Sequence, residues 1–316
     1  MMPEIVRLNV QLTKRCNQRC RSCNSYELEC TGELVLDEFK RVIQEATAIF
    51  DIKNIAFTGG EPTLFPNFCD ITSYARQYSP YVSVTTNGYY CSTKRRTLEL
   101  IRGGVNRFSF SYHGIGSHDN FTRVNGCEER LIKAVDWLNE EKSKSEIYIK
   151  IGTLFTGDNI QEVEKVLEFA ELKEVDLYIE IFDDEISLFS SSLLSSQKKK
   201  MVEKEILEQA LEKILFWKKS GRRVLIDESG INFIDRWFTG KHFLDECPLW
   251  KTDLYIESNG NVRSGCWVLP AVGNIREKSL AEIIKGDQYK KNIEDMKIRK
   301  CNGCTCGYLM QAKYLR

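Results

Sequence analysis

The sequence predicts an α/β fold, an open, partial (β/α)6 TIM-like barrel followed by a small C-terminal domain with a β-hairpin. Strand-like and helix-like stretches alternate from residue 5 to about residue 182, which is typical of a parallel sheet with helices outside it. Six strands in about 180 residues are too few for a closed barrel, since eight strands with their helices need ~250 residues.

Six strands and five helices of the barrel follow from the residue patterns. The predicted strands are Ile5–Leu12, Asn54–Thr58, Tyr81–Thr86, Val105–Ser111, Glu146–Leu154 and Asp176–Phe182. The predicted helices are Asp37–Phe50, Phe68–Gln77, Lys94–Arg102, Glu129–Glu141 and Asn159–Ala170. Asp37 is of the residue type that caps helix N-termini, so we expect it to be the N-cap of its helix.

The chain changes character after the barrel. Residues 186–200 are rich in Ser and Lys and predict a linker, and a helix at Met201–Lys219 is expected to pack on the barrel. The alternating run Asp253–Arg263 contains an Asn-Gly turn and predicts a hairpin. We therefore expect a barrel at 1–185, a linker and helical segment at 186–240 and a small domain at 241–316.

Composition excludes several classes of protein. Lys+Arg and Asp+Glu both number 45, so no net charge favours a nucleic acid as partner. No apolar run approaches the ~18 residues of a membrane span, and the N-terminus lacks a signal-peptide pattern. We therefore expect a cytoplasmic protein, in which clustered cysteines are metal ligands rather than disulfides.

Three cysteines lie directly after the first predicted strand, at Cys16, Cys20 and Cys23. Three thiolates in a short loop can hold three corners of an iron–sulfur cluster, but they cannot complete a four-ligand zinc site alone. One metal position then remains open for another ligand.

Polar or glycine-rich segments follow all six predicted strands. In a parallel α/β sheet the carboxyl ends of the strands share one edge, where active sites are built. These segments are Cys16–Cys23, Thr58–Pro62, Thr85–Gly88, Ser109–Gly114, Thr153–Asn159 and Asp183–Glu185.

The cysteine spacing, together with Gly59-Gly60-Glu61-Pro62, resembles the radical S-adenosylmethionine (SAM) enzymes. The resemblance implies a [4Fe–4S] cluster on the three cysteines, whose fourth iron is chelated by SAM. Reductive cleavage of SAM then gives a 5′-deoxyadenosyl radical that abstracts hydrogen from a substrate. The family usually has an aromatic residue before the third cysteine, where this chain has Ser22.

The local residues suit SAM as a ligand. Small glycines and carboxylate or hydroxyl groups can surround its ammonium, ribose and carboxylate. Arg123 could pair with the SAM carboxylate or could simply face solvent. The expected SAM-binding residues are Gly59, Gly60, Glu61, Pro62, Thr86, Asn87, Ser109, Ser111 and Arg123.

A second cysteine set, Cys247, Cys266, Cys301 and Cys304, resembles the shortened "twitch" form of the SPASM domains of such enzymes. The resemblance implies one auxiliary [4Fe–4S] cluster with four cysteine ligands. A structural zinc ribbon is the alternative. Cys306 is left over and could replace Cys304 as a ligand, donate hydrogen to a substrate radical, or simply be a packed or surface cysteine.

The net reaction stays open at this stage. A fully ligated auxiliary cluster favours net oxidation, by dehydrogenation or crosslinking, of a sugar or aminocyclitol or of a ribosomally made peptide. No leader-binding domain is expected before the first strand, which weakens the peptide hypothesis. The alternatives are a redox-neutral epimerase with Cys306 as hydrogen donor and a non-catalytic zinc module.

Substrate contacts and electron supply are equally open. Glu180 and Asp183, near Asp184 and Glu185, could meet a cationic amine or could form a solvated acidic loop. A flavodoxin or ferredoxin is the expected electron donor.

Overall fold

A single sheet of nine strands runs through the described part of the chain. The computed structural model describes residues 3–21, 23, 25–155, 159–181, 203–226, 230–232, 247–266 and 269–298. The strands are β1 (Arg7–Thr13), β2 (Asn54–Gly59), β3 (Tyr81–Thr86), β4 (Arg107–Ser111), β5 (Tyr148–Phe155), β6 (Asp176–Ile181), β7 (Asp253–Ile256), β8 (Asn261–Arg263) and β9 (Gly273–Asn274). Their order across the sheet is β6-β5-β4-β3-β2-β1-β7-β8-β9.

The sheet is parallel from β6 to β7 and antiparallel from β7 to β9. The predicted open (β/α)6 barrel and the C-terminal hairpin are therefore confirmed. The hairpin is not a separate sheet, because β7 pairs with β1 in the register Arg7↔Asp253. The predicted domain boundaries lie outside the described residues.

Helices cover the connections between the barrel strands. They are α1 (Leu36–Ile49), α2 (Phe68–Ala75), α3 (Lys94–Arg102), α4 (His118–Thr122), α5 (Cys127–Lys142), α6 (Val163–Leu172), α7 (Lys204–Lys219), α8 (Leu249–Thr252), α9 (Leu280–Lys285) and α10 (Asp287–Lys297). Helix α7 lies against α6: Lys213 on α7 pairs with Glu164 on α6 at 2.6 Å, and Leu207 and Ile214 are buried. No helix in the described ranges is both long and apolar enough to cross a membrane.

The expected N-cap role of Asp37 is wrong. Helix α1 begins one residue earlier, with Val35 at the N-cap position. The backbone N–H of Val35 donates to the Glu38 carboxylate at 2.9 Å, so Glu38 satisfies the helix end. Asp37 lies in the first turn, where a negative charge is favourable to the helix dipole.

The outer face of the sheet forms an apolar core with the helices. Phe57 on β2 packs edge-on against Phe68 of α2, with ring centroids 6.2 Å apart. Every second residue of the strands faces this core, and those on β1, β3, β4, β5 and β6 are buried: Leu8, Val10, Leu12, Val82, Val84, Phe108, Phe110, Ile149, Ile151, Leu177 and Ile179.

The inner face of the sheet, here called the barrel interior, is polar. Strand register places the intervening residues together on this face: Arg7, Asn9, Gln11, Asn54, Ser83, Arg107, Ser109, Lys150, Tyr178, Glu180 and Asp253. β1 and β5 are four strands apart, about 19 Å in a flat sheet. Burial lowers the pKa of Lys150 and the charge of Arg7 adds to the shift, as expected of an open barrel whose sheet is curved.

A buried ion pair joins β1 to β7. Arg7 Nε donates to Asp253 Oδ1 at 2.5 Å, and Asn9 Nδ2 donates to the same oxygen at 2.9 Å. Thr252 Oγ1 donates to the other carboxylate oxygen at 2.6 Å. Asp253 is fully buried, so this carboxylate holds β7 against β1 in the barrel interior.

Replacing Asp253 with Ala should therefore destabilise the protein. The change leaves the buried guanidinium of Arg7 without its counter-ion, which costs about 3–5 kcal/mol. Anaerobic urea unfolding measures the loss. The exposed pair of Lys53 and Asp51 supplies the control, because Asp51→Ala should cost less than about 1 kcal/mol. Equal effects of the two changes would contradict this account of Asp253.

Candidate active site

The cysteine loop, which carries Cys16, Cys20 and Cys23, lies directly after β1 on the rim formed by the carboxyl ends of the strands. Its backbone pairs with the residues that end α4. The N–H of Arg19 donates to the Thr122 carbonyl and the N–H of Arg21 to the Phe121 carbonyl, both at 3.0 Å. The loop is thus held by hydrogen bonds that do not involve its thiols.

The three thiols share one partly buried environment. Burial, together with the nearby Glu61 and Cys23, raises the pKa of Cys16 to about 11. Burial also raises the pKa of Cys20, and the nearby Cys23, Cys16 and Cys127 raise it further. Iron would replace the protons of these thiols on binding.

Backbone N–H groups point at two of these sulfurs. Gln18 N donates to Cys16 Sγ at 3.4 Å, and Ser25 N donates to Cys23 Sγ at 3.3 Å. Hydrogen bonds to cysteine sulfur are among the contacts that tune iron–sulfur clusters. The chemistry of the three thiols and their donors therefore fits a cluster held at three corners.

The glycine loop, Gly59–Pro62, packs directly on the backbone of the residues that precede Cys16 in the sequence. A Cβ on Gly59 would overlap the carbonyl oxygen of Thr13, and one on Gly60 would overlap the carbonyls of Lys14 and Arg15. The N–H of Gly60 donates to the Thr13 carbonyl at 2.8 Å. Both glycines are thus required by the contact between two loops.

The Glu61 carboxylate is enclosed by protein donors. Its Oε1 accepts from Thr63 N, Thr63 Oγ1 and Thr86 Oγ1 at 3.1, 2.5 and 2.8 Å. Its Oε2 accepts from Asn87 N at 2.8 Å. Burial raises the pKa of Glu61, and these donors oppose that rise. Glu61 therefore joins the glycine loop to the end of β3, and Pro62 begins the short 3-10 turn that follows.

Asn87 connects this network to the cysteine loop. Its Nδ2 donates to Asn17 Oδ1 at 2.6 Å, and its Oδ1 accepts from Tyr89 N at 3.0 Å. The predicted residues Thr86 and Asn87 thus use their side chains to join the first three strand ends.

The predicted residues of the fourth strand end differ in their surroundings. Ser109 and Ser111 lie two apart on the inner face of β4, partly exposed, and neither hydroxyl has a hydrogen-bond partner within the ranges described above. Arg123 is exposed and follows α4 in the left-handed conformation, with φ of 56°. It lies next to the residues that pair with the cysteine loop.

Sequence reasoning missed Gln18 and Cys127. Gln18 Nε2 donates to Cys127 Sγ at 3.2 Å, and Gln18 Oε1 accepts from Cys20 Sγ at 3.4 Å. The position of Gln18 between two motif cysteines was a signal for such a role. Cys127, by contrast, lies over 100 residues away and carries no signal in the sequence.

The histidines near the rim are neutral packing residues. Burial lowers the pKa of His113 to about 3 and that of His118 to about 4. The His113 ring stacks on Phe121 with centroids 4.0 Å apart. Their contribution is therefore to the shape of the rim.

The second cysteine set is only partly described. Cys247 and Cys266 are partly buried and pack against the core. A Cβ on Gly265 would overlap the Leu249 carbonyl, so the segments that carry these cysteines are in contact. Glu180 lies on the inner face of β6. Ser22, Asp183, Cys301, Cys304 and Cys306 lie outside the described residues.

Two family models match this chain. That of the radical SAM superfamily matches residues 10–170. The chain belongs to the radical SAM superfamily. The model of the iron–sulfur cluster-binding SPASM domain matches residues 247–305, so the protein is a SPASM/twitch member. Its cofactors are SAM, a SAM-binding [4Fe–4S] cluster and an auxiliary cluster.

Individual relatives agree on the family. A probable GTP 3′,8-cyclase of Thermoplasma volcanium is 31% identical over 216 residues, which are 66% of this chain and 64% of that protein. An AdoMet-dependent heme synthase of Methanosarcina barkeri is 30% identical over 165 residues, 51% of this chain and 46% of that one. The chain thus spans about half to two-thirds of the length of these relatives.

Solved structures agree on the fold. SuiB of Streptococcus suis, bound to SAM, superposes with a TM-score of 0.71 at 16% identity. The superposition covers 96% of this chain and 70% of SuiB.

Because protein donors enclose the Glu61 carboxylate, Glu61→Gln should lower the free energy of unfolding even without SAM. The amide NH2 that replaces Oε2 would face the N–H of Asn87, which leaves two donors together and costs about 1–3 kcal/mol. Anaerobic urea unfolding of the SAM-free protein checks this. The exposed Glu140 offers a matched control, for which Glu→Gln should change stability by less than about 0.5 kcal/mol. Unchanged stability with weaker SAM binding would instead indicate that Glu61 acts only on the ligand.

Proposed function

We propose that this enzyme cleaves SAM at the cluster of the cysteine loop and abstracts hydrogen from a small polar substrate bound in the barrel interior. The observation that carries the proposal is the convergence of the cysteine and glycine loops on the rim above a polar interior. The proposed net reaction is an oxidation, by dehydrogenation or crosslinking.

Each set of cysteines has a distinct role in this proposal. Cys16, Cys20 and Cys23 hold three corners of the first cluster, which supplies the electron for SAM cleavage when it is bound. Cys247, Cys266, Cys301 and Cys304 hold the auxiliary cluster. Four protein ligands leave no iron position for substrate there, so this group would serve electron transfer.

The surrounding residues divide into those that shape the SAM site and those that contact SAM. Glu61, Thr86 and Asn87 are occupied by protein contacts and fix the loops. Ser109 and Ser111 have hydroxyls available to the ribose or carboxylate of SAM. Arg123, which follows α4 beside the cysteine loop, would pair with the carboxylate.

The barrel interior favours a small substrate with polar groups. Among the described residues, no atom lies closer to the missing Cβ of Gly152, on the inner face of β5 between Lys150 and Leu154, than the Phe110 carbonyl at 3.8 Å. The ammonium of Lys150 lies 5.3 Å from the ring centroid of Tyr178, which is level with Gly152 in register. The space at Gly152 would therefore admit a group that contacts Lys150.

Electrostatics at this position also favour a polar substrate. Burial lowers the pKa of Lys150 to about 8, with Arg7 adding to the shift and Glu180 and Asp176 opposing it. Burial raises the pKa of Glu180. Charged groups kept in a desolvated interior are costly, and active sites are where such groups gather.

Relatives point to a range of substrates for the same chemistry. One relative is named for a reaction of GTP and another as a synthase that makes heme, and SuiB was also solved with its precursor peptide SuiA. A polar interior accommodates a sugar, an aminocyclitol or a nucleotide more readily than a peptide chain. A small polar compound is therefore the substrate class we propose.

Cys16→Ala should abolish SAM cleavage because it removes one of the three cluster ligands. Production of 5′-deoxyadenosine from SAM and dithionite under anaerobic conditions should fall to background. Cys30→Ala is the matched control, since Cys30 is a nearby cysteine outside the motif, and its activity should stay within about twofold of wild type. Wild-type activity in Cys16→Ala would overturn the proposal.

Deuterated candidate substrates test the proposed substrate class. A small polar substrate labelled at the abstracted position should transfer deuterium to 5′-deoxyadenosine, which mass spectrometry detects. The panel would contain GTP, an aminocyclitol and a peptide. Transfer from the peptide alone would contradict the proposed class.

Lys150→Met should stabilise the protein at pH 7. The pKa of Lys150 is near 8 in the fold and ~10.4 when unfolded, so the charged lysine disfavours folding below pH 8. The gain, on the order of 3 kcal/mol, should shrink as pH rises from 8 to 10. Urea unfolding across this range measures it.

The exposed Lys133 supplies the control, because Lys133→Met should show no such pH dependence. A loss of stability in Lys150→Met at pH 7 would show that the ammonium supports the fold, and would remove it as a substrate contact.

A further inference from the structure

One arginine of the C-terminal region reaches across to the segment between the cysteine loop and α1. Arg276 Nε and Nη2 donate to the two carboxylate oxygens of Glu38 at 2.6 and 2.8 Å. Its Nη1 donates to the Gly32 carbonyl at 2.8 Å, and its Nη2 also donates to the Glu33 carbonyl at 3.1 Å. A single guanidinium thus holds this segment at Gly32 and Glu33 and also binds Glu38 in the first turn of α1.

The side chain of Glu33 holds the base of the cysteine loop. Its Oε1 accepts from Thr13 Oγ1 and from Lys14 N, both at 2.7 Å. Thr13 is fully buried, and its carbonyl is the acceptor for the N–H of Gly60 in the glycine loop. Glu33 therefore contacts the backbone at which both loops of the rim meet, two residues before Cys16.

These contacts form a continuous connection between the two iron–sulfur regions of the chain. The SPASM match includes Arg276, whereas Thr13 and Lys14 directly precede Cys16. We propose that Arg276 is a positioning residue that acts through Glu33 to set the geometry of the cysteine loop, and hence SAM binding at the first cluster. This inference rests on the proposed function of that loop.

Arg276 can position this segment because it supplies several hydrogen-bond donors to residues that have no regular secondary structure. Removing it leaves the carbonyls of Gly32 and Glu33 without these donors and Glu38 without its counter-ion. The planar fork of arginine suits a carboxylate with two oxygens, and lysine cannot reproduce it. Glu33 would then be free to shift, and its contacts with Thr13, Lys14 and Arg15 would weaken.

Arg41 provides a matched control at the same interface. Its Nη2 donates to the Ile275 carbonyl at 2.5 Å, so it too connects α1 with the segment before Arg276. It makes no hydrogen bond to residues 32 and 33. Arg41→Gln therefore weakens the interface without touching the proposed connection.

The test is SAM titration of the reduced, cluster-loaded protein, followed by electron paramagnetic resonance. A variant with Cys16, Cys20 and Cys23 all changed to Ala gives the spectrum of the auxiliary cluster for subtraction. In Arg276→Ala we expect altered g-values of the SAM-bound cluster and a Kd for SAM raised about 3–10-fold, the equivalent of losing one or two hydrogen bonds. Arg41→Gln should show the g-values and the Kd for SAM of the wild-type protein.

A double-mutant cycle tests whether Arg276 acts through Glu33. Glu33→Ala should reproduce the effect of Arg276→Ala, and the double variant should add little to either, since both belong to one connection. Additive effects would overturn the inference, as would a wild-type Kd and spectrum in Arg276→Ala.

Failure of the inference is distinguishable from failure of the proposed function. A wild-type spectrum that does not respond to SAM would remove the proposed function itself. If the wild-type spectrum responds to SAM and the Arg276→Ala spectrum responds equally, only the positioning role of Arg276 is removed. If Arg276→Ala loses the auxiliary signal through misfolding, Arg276→Lys decides by the same criteria, because it keeps the charge but not the fork.

Discussion

The close contact between the glycine loop and the backbone before Cys16 is the constraint on which the rim depends. Thr13, Lys14 and Arg15 present carbonyl oxygens to Gly59 and Gly60 at distances that leave no room for a Cβ. This contact fixes where the cysteine loop leaves β1. Glu61 then follows directly and carries the constraint to the end of β3, so three strand ends are held as one unit.

The division of the sheet into an apolar outer face and a polar inner face is the second organising feature. The outer face supplies the stability of the barrel through packing against the helices. That stability supports charged groups such as Arg7 and Lys150 in the interior, where burial disfavours their charge. An open barrel with a polar interior can hold a ligand where a closed barrel is filled by apolar side chains.

The C-terminal region is structurally part of the barrel. β7 pairs with β1, the strand that leads into the cysteine loop, and Asp253 neutralises Arg7 inside the barrel. Arg276 approaches the same loop from outside through Glu33. The C-terminal region thus contacts the first site's surroundings in two ways, by the pairing of β7 with β1 and by the hydrogen bonds of Arg276.

The sequence alone determined the fold class, the approximate positions of the six barrel strands and the resemblance to the family, because each is encoded locally. Alternating apolar residues mark the strands, and the cysteine and Gly-Gly-Glu-Pro motifs lie within short stretches. Polar and apolar residues alternate in strands such as Arg107–Ser111, which indicates one polar face for each strand. Only the register between strands shows that these polar faces lie together in the barrel interior. Tertiary structure alone decided the partners of Glu61, the pairing of Arg7 with Asp253, and the contacts of Gln18 with Cys127 and of Arg276 with Glu33. Most of these contacts join residues far apart in the chain that the sheet and its loops bring together, and no local pattern records that approach.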